Sequence, residues 1–198
     1  MKKLTFLLVV LSVATLTYAY EPATIFLHND TQLEGFVEWP NVDARSVNFR
    51  ADRSSRVQRV SSNDIRLIRF LREDGNFLDI ERVQVNASVT NNPLRRWHFL
   101  SVVERGPVTL YYIVVRNVSR SHVTNIPHYF AKREGEAVAQ YMWYNQAGVL
   151  NDPFRRIGSN FFETNPSISE KIRNKEEGYT HRDIVQIVRE YNAWASTR

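Results

Sequence analysis

The sequence predicts an α+β fold: an antiparallel β-rich body, a sheet or a partly closed roll or barrel, followed by about three C-terminal helices packed on it. Three observations predict it. Up to about residue 146, apolar residues recur with period two between turn signals. After residue 150 they recur at helical spacing between capping and stop signals. The helical part is only about 50 residues, too few to hold a core alone. One domain is therefore expected over residues 20–198, with its β part at about 20–146 and its helical part at about 150–198.

"ATIFLHNDTQLEGFVEW" (23–39) predicts a hairpin, because two β-rich runs flank Asn29-Asp30, a pair that tolerates positive φ. In its second arm Leu33, Gly35, Val37 and Trp39 fall on one face, and Gln32, Glu34 and Glu38 on the other, interrupted by Phe36. "SVNFR" (46–50), "RVQRV" (56–60) and "IRLIRFLR" (65–72) predict shorter strands, with "SSND" as the polar turn between the last two. Asp74-Gly75-Asn76 then turns the chain into the strand "FLDIERVQV" (77–85), and "NNP" (91–93) marks a loop.

"RWHFLSVVE" (96–104) and "VTLYYIVVR" (108–116) flank Arg105-Gly106-Pro107. The second arm is apolar on both faces, so it should be a central strand covered on both sides. "HYFAKREGEAVAQYMWY" (128–144) predicts another hairpin around Glu134-Gly135. Asp152-Pro153 then starts a helix carrying Phe154, Ile157 and Phe161. Asn165-Pro166 starts a second, with Gly178 expected to stop it. Thr180 caps a third, with Asp183 in a capping-box place. Its stripe of Ile184, Ile187, Val188, Tyr191 and Ala195 must cover an apolar surface, most simply the sheet.

The first 19 residues stand apart. Lys2 and Lys3 precede the apolar run 4–16, and Thr17 and Ala19 occupy the −3 and −1 places of a cleavage site. The run is shorter than the roughly 20 residues that span a bilayer. Residues 1–19 are expected to be a signal peptide, with Tyr20 as the mature N-terminus and an uncleaved anchor as the alternative. No transmembrane anchor is expected after cleavage. The chain has no cysteine, so disulfides, thiolate nucleophiles and cysteine metal sites are excluded. A cysteine-free exported chain fits a bacterial periplasm or exterior, where the sequons at Asn29, Asn86 and Asn117 are chance matches. Loss of Lys2 and Lys3 lowers the formal charge from +5 to +3, a mild balance that does not point to nucleic acid.

The C-terminal run "SEKIRNKEEGYTHRDIVQIVREYNAW" resembles the ending of a group of uncharacterised secreted proteins of Bacteroidota. "GFVEW", "SVNFR" and "SSNDI" are similar to their opening, and "GPVTLYY" and "HYFAKREGE" to their middle. The resemblance implies a signal peptide, a hairpin-rich body and C-terminal helices, and it implies no activity. Members often carry a cysteine before the penultimate helix, where this chain reads "FFETNPSISEK" and has none.

Known catalytic arrangements are not found. The histidines His28, His98, His122, His128 and His181 include no H-E-x-x-H run, so no metal is expected; His122 and His128 flank "VTNIP" and fit one loop. No G-x-S-x-G elbow, Walker A run or G-x-G-x-x-G occurs, and Ser159 falls in an expected helix. No cofactor is expected. Tyr111, Tyr112, Tyr129, Tyr141, Trp143 and Tyr144 suit a sugar- or peptide-binding face, but strands prefer such residues as core and cross-strand pairs. The reading favoured is an exported, envelope-associated binding or interaction protein without a catalytic site; the alternative is a secreted hydrolase with an unrecognised site.

One charge pattern points to a partner. Residues 45–72 carry eight arginines (Arg45, Arg50, Arg53, Arg56, Arg59, Arg66, Arg69 and Arg72) against Asp52 and Asp64 alone. Arg53, Arg56 and Arg59 are the candidate residues for an anionic envelope component, such as lipid phosphate or an acidic glycan, because the guanidinium fork holds such groups through two hydrogen bonds. The partner is otherwise another envelope protein. A solvated strand face with its arginines paired to carboxylates elsewhere is the competing reading. In an unbulged strand Arg66 and Arg72 would point one way and Arg69 the other, so the eight do not share one face.

Overall fold

The computed structural model describes residues 20–86, 95–118, 123–142 and 153–198. The expected signal peptide 1–19, the loop at 91–93, His122, Trp143, Tyr144, the β-to-α break near 146–152 and the Asp152 cap lie outside the described residues.

The body is built from β1 (Tyr20–Leu27), β2 (Gln32–Glu38), β3 (Ser46–Arg50), β4 (Gln58–Ser61), β5 (Ile65–Leu71), β6 (Phe77–Asn86), β7 (Arg95–Glu104), β8 (Val108–Val118), β9 (Val123–Arg133) and β10 (Val138–Met142). The turns fall where the sequence places them. Asp30 (φ 62°), Gly75 (φ 79°) and Gly135 (φ 80°) take the left-handed conformation at the tips of three hairpins.

The strands pair in the order β10-β9-β8-β7-β6-β5-β1-β2-β3-β4, and β10 returns to β6. Strands β6 to β10 therefore close into a five-stranded ring. An up-and-down run of odd number closes only through one parallel pair, and that pair is β10 with β6, Val138 to Gln140 lying beside Gln84 to Asn86. β6 serves both halves of the body. Its first half pairs with β5 (Phe77 beside Leu71, Glu81 beside Leu67), its second half with β10, and its other edge with β7.

Three cores follow from strand alternation. The first five strands roll around Ile25, Val37, Phe49, Ile68 and Phe70, joined by Ile80 and Phe99 from the ring's outer side. Gly35 permits the tight curl, since a Cβ there would lie 2.2 Å from the Arg50 carbonyl oxygen. The ring is filled by Val83, Val85, Leu100, Tyr111, Phe130, Ala139 and Tyr141. Val108, Leu110, Ala131 and Met142 face outward from β8, β9 and β10 into the layer beneath the helices. β8 thus has Tyr111 inside the ring and Leu110 under the helices, so the two-sided burial that its sequence predicts holds for its first half, while Val114 further along is exposed.

The helices are α1 (Pro153–Phe161), α2 (Pro166–Asn174) and α3 (Ile184–Ala195), the last preceded by a 3₁₀ turn at His181–Asp183. Asn165 caps α2, its side-chain oxygen accepting from the Ile168 N–H at 3.3 Å. The Asp183 carboxylate accepts from the Thr180 N–H (3.0 Å) and hydroxyl (2.6 Å). Ile184, Ile187, Val188 and Tyr191 are buried as expected. Among the described residues no helix is long and apolar enough to cross a membrane.

Three local expectations need correction. α2 ends at Asn174, not at Gly178. Lys175 takes the left-handed cap (φ 57°), its N–H bonding the Ile172 carbonyl while the Glu176 N–H bonds that of Lys171; Gly178 turns the link that follows. Residues 123–127 are not a loop but the first half of β9, with Pro127 set opposite Val114. The run 56–60 yields the four-residue β4, because Arg56 and Val57 belong to the preceding loop.

Candidate functional site

Register decides which arginines share a face. Phe36 lies opposite Arg50, Asn48 opposite Arg59, and Thr24 opposite Arg69. Residues directly opposite in a ladder point the same way. Arg50, Arg59 and Arg69 therefore stand on the outer face of the roll, with Phe26, Phe36, Phe77 and Asp79. Arg66 is the extra residue of a bulge, because Ile65 and Leu67 pair with the consecutive Leu27 and Phe26. Arg72 lies past the end of β5, in the hairpin turn. The sequence does not reveal that bulge, so its alternation rule fails at Arg66.

Arg53 and Arg56 sit in the loop between β3 and β4, and Arg59 in β4; all three are exposed. Asp52, the acid beside them, is committed to the loop itself. Its carboxylate accepts from the Ser54 N–H (2.8 Å) and hydroxyl (2.6 Å) and from the Ser55 N–H (2.8 Å) and hydroxyl (2.5 Å). Those bonds, led by the Ser54 and Ser55 hydroxyls, pull the carboxyl down to about 2. The Arg53 guanidinium lies 5.2 Å from the centre of the Phe36 ring, and that of Arg50 lies 4.6 Å from the Tyr20 ring. Arg50 also donates to the Arg53 carbonyl at 3.1 Å, tying the loop to the sheet. A guanidinium lying over a ring keeps its N–H edge free for an anion. Among the described residues Arg53, Arg56 and Arg59 form no ion pair.

Arg69 does the opposite. It holds Asp79 through two bonds of 2.8 and 3.0 Å, and lies over both Phe26 and Phe77. Asp79 also accepts from Arg105 at 2.8 Å. Arg105 reaches Glu81 at 2.6 Å, and the Tyr111 hydroxyl donates to the other Glu81 oxygen at 2.8 Å. Desolvation raises the Asp79 carboxyl, but Arg69 and Arg105 together hold it below the usual carboxylate range. Burial, then the Glu81 carboxylate, push the Tyr111 phenol far up, so it remains a neutral donor. Pairing of the arginines to carboxylates elsewhere thus holds for Arg69. This network escapes the sequence reading, although Asp79 and Glu81, two apart on one strand, share a face by alternation alone.

The other candidate residues are occupied by packing. Ser159 is buried in α1 with its hydroxyl on the Arg156 carbonyl. Tyr141 is buried, and Tyr112 and Tyr129 are partly buried, their rings 6.4 Å apart. His128 stacks on Tyr141 with ring centres 5.3 Å apart, and burial lowers its proton affinity. His98 is lowered in the same way, desolvation outweighing the Val42 carbonyl and Asp43. Among the described residues no group of three or more His, Cys, Asp or Glu side chains is placed to hold a metal ion. In comparisons with protein-family models, curated proteins and solved structures, the chain matches none.

Proposed function

We propose that the protein is an exported envelope-associated binding or interaction protein that works from its β surface on an anionic partner. Residues 1–19 would direct it to the periplasm or the exterior and then be removed, leaving Tyr20 first. The observation that carries the reading is the set of exposed arginines in the β3–β4 loop and β4. Arg53, Arg56 and Arg59 are exposed and form no ion pair among the described residues, and the adjacent acid is bound to serines instead. The chemistry they fit is lipid phosphate or an acidic glycan. The resemblance to secreted Bacteroidota proteins supports the same location. A hydrolytic site is less well supported: both oxygens of Asp79 and both of Glu81 already accept from Arg69, Arg105 or Tyr111.

The test is retention of the exported protein, its start at Tyr20 checked by intact mass, on liposomes containing anionic lipid and on an acidic polysaccharide matrix across a salt series. Binding should weaken steeply with salt, since exposed charges are screened beyond about 8 Å at physiological ionic strength. The combined change Arg53→Ser, Arg56→Ser, Arg59→Ser should abolish it with the melting temperature unchanged. Absence of retention at low salt, or full retention by the variant, would refute the assignment.

A further inference from the structure

The five-stranded ring is open at the end where two hairpin turns meet. The β7–β8 turn (105–107) and the β9–β10 turn (134–137) lie side by side, joined by the Glu134 N–H on the Pro107 carbonyl at 2.9 Å. They bound a depression of about 610 Å³ whose floor is Tyr111 and whose wall carries Glu81 and Arg105. Volumes of this order accommodate a small molecule. Thr109 and Lys132 are direct cross-strand partners on the face that leads into the ring, and both line the depression.

We propose that this depression binds a small acidic polyol, such as a sugar phosphate or sugar acid, through a phosphate or carboxylate that meets Lys132. The charges around it decide the sign of the ligand. Arg69 and Arg105 are balanced by Asp79 and Glu81. Arg133 is engaged by Glu136 and by the Phe161 carbonyl. Lys132 has no carboxylate partner among the described residues; its ammonium lies 5.9 Å from the centre of the Tyr111 ring. Tyr111 cannot supply an anion, because its hydroxyl is committed as a donor to Glu81. One cation therefore faces a polar hollow whose floor is neutral. The single acid left without an ion pair is Glu134, exposed at the rim.

Lys132 is held without salt-bridge support, as a cation placed for an incoming group would be. The residues beneath it are linked, because the Arg69–Asp79–Arg105–Glu81–Tyr111 chain ties each neighbour through charge-assisted bonds. The hollow is larger than a bare phosphate or carboxylate requires, and its polar walls suit hydroxyl groups on the remainder of the ligand.

The depression shares no residue with Arg53, Arg56 and Arg59, and the experiment keeps the two sites apart. Glucose 6-phosphate, glucuronate and glucose are titrated into the exported protein by calorimetry, with amide NMR shifts as the positional readout. At least one of the two acids should bind saturably and shift amides of the 105–111 and 132–136 segments, while glucose should not bind. Lys132→Met, which keeps the stem and removes the charge, should weaken binding at least tenfold, and Glu134→Gln should leave it equal or tighter. Lys132→Arg, which keeps the charge, serves as the second variant and should retain measurable affinity. The variant lacking Arg53, Arg56 and Arg59 should bind as the wild type does. Failure of both acids to bind, equal binding of glucose, or unchanged affinity in a folded Lys132→Met protein would overturn the proposal.

Discussion

Asn192 offers the sharpest test of how the helices are attached. It lies in the buried stripe of α3 at 7% exposure, where the rest of the stripe is apolar. Its side-chain oxygen accepts from the Val108 N–H and its amide donates to the Val108 carbonyl, each at 2.8 Å. Pairing between β7 and β8 runs only as far as Leu110, beyond a register shift at Val102/Glu104, so Val108 has no strand partner on that side. The Asn192 amide takes the place of one. Asn192→Ala would leave a buried N–H and a buried carbonyl unsatisfied, at about 1 to 3 kcal/mol each. The expected loss is about 2 to 6 kcal/mol, read as a fall in melting temperature of roughly 4 to 24 °C for a chain of this size. Urea unfolding followed by far-UV circular dichroism measures it. Asn192→Asp adds a control on mechanism. The ionised carboxylate would oppose the Val108 carbonyl, whereas the protonated acid reproduces the amide's donor and acceptor. The folded state would therefore raise the acid's proton affinity, and the Asp variant should regain stability relative to wild type as pH falls through that raised value. Gly106→Ala should resemble Asn192→Ala and add little to it, because the new Cβ would lie 2.6 Å from the Asn192 amide nitrogen. An Asn192→Ala protein within about 0.5 kcal/mol of wild type, the range of an ordinary surface change, would refute this account of the joint.

Two further outcomes are expected. Ile187→Asp places an unpaired charge at a fully buried position and should cost several kcal/mol, seen as insoluble or molten protein; a soluble variant with an unchanged melting temperature would make α3 an appendage. Asp79 is held below the usual carboxylate range, so it contributes stability that is fully present above its unfolded value near 4 and lost as pH falls through the lowered folded value. Acid unfolding of Asp79→Asn should accordingly be less steep than that of wild type, and identical pH profiles would show the network to be energetically idle.

What the sequence makes legible here is local. Apolar residues on both faces identify β8 as a central strand, since that needs only the residues 108–116, and helical spacing in 184–195 marks the buried face of α3. Turn residues locate the hairpins at Asp30, Gly75 and Gly135 because a positive φ selects their types. Ring closure is different. The pairing of Val138–Gln140 with Gln84–Asn86 depends on the summed twist of the strands between them, and no residue of either segment encodes it. Pro127 hid the start of β9, as proline usually argues against a strand interior. Lys175 took the cap expected of Gly178 because the paired bonds to the Lys171 and Ile172 carbonyls offset the cost of a left-handed residue that is not glycine. Asn192 reads as an interruption of an apolar stripe until Val108 is seen beside it.

Closure of the ring also bears on solubility. Each strand of a closed ring has a neighbour on both sides, and in the roll only β4 is hydrogen-bonded on one side alone among the described strands. An exposed strand flank invites pairing with other chains, and proteins restrain it by brevity and by charge. β4 has both protections: it is four residues long and carries Arg59, with Arg56 just before it. Arg56 and Arg59, two of the residues proposed to meet an anionic partner, thus also guard the flank that β4 leaves open among the described strands, so a chain stripped of them should be more prone to self-association at high concentration than its unchanged core would suggest.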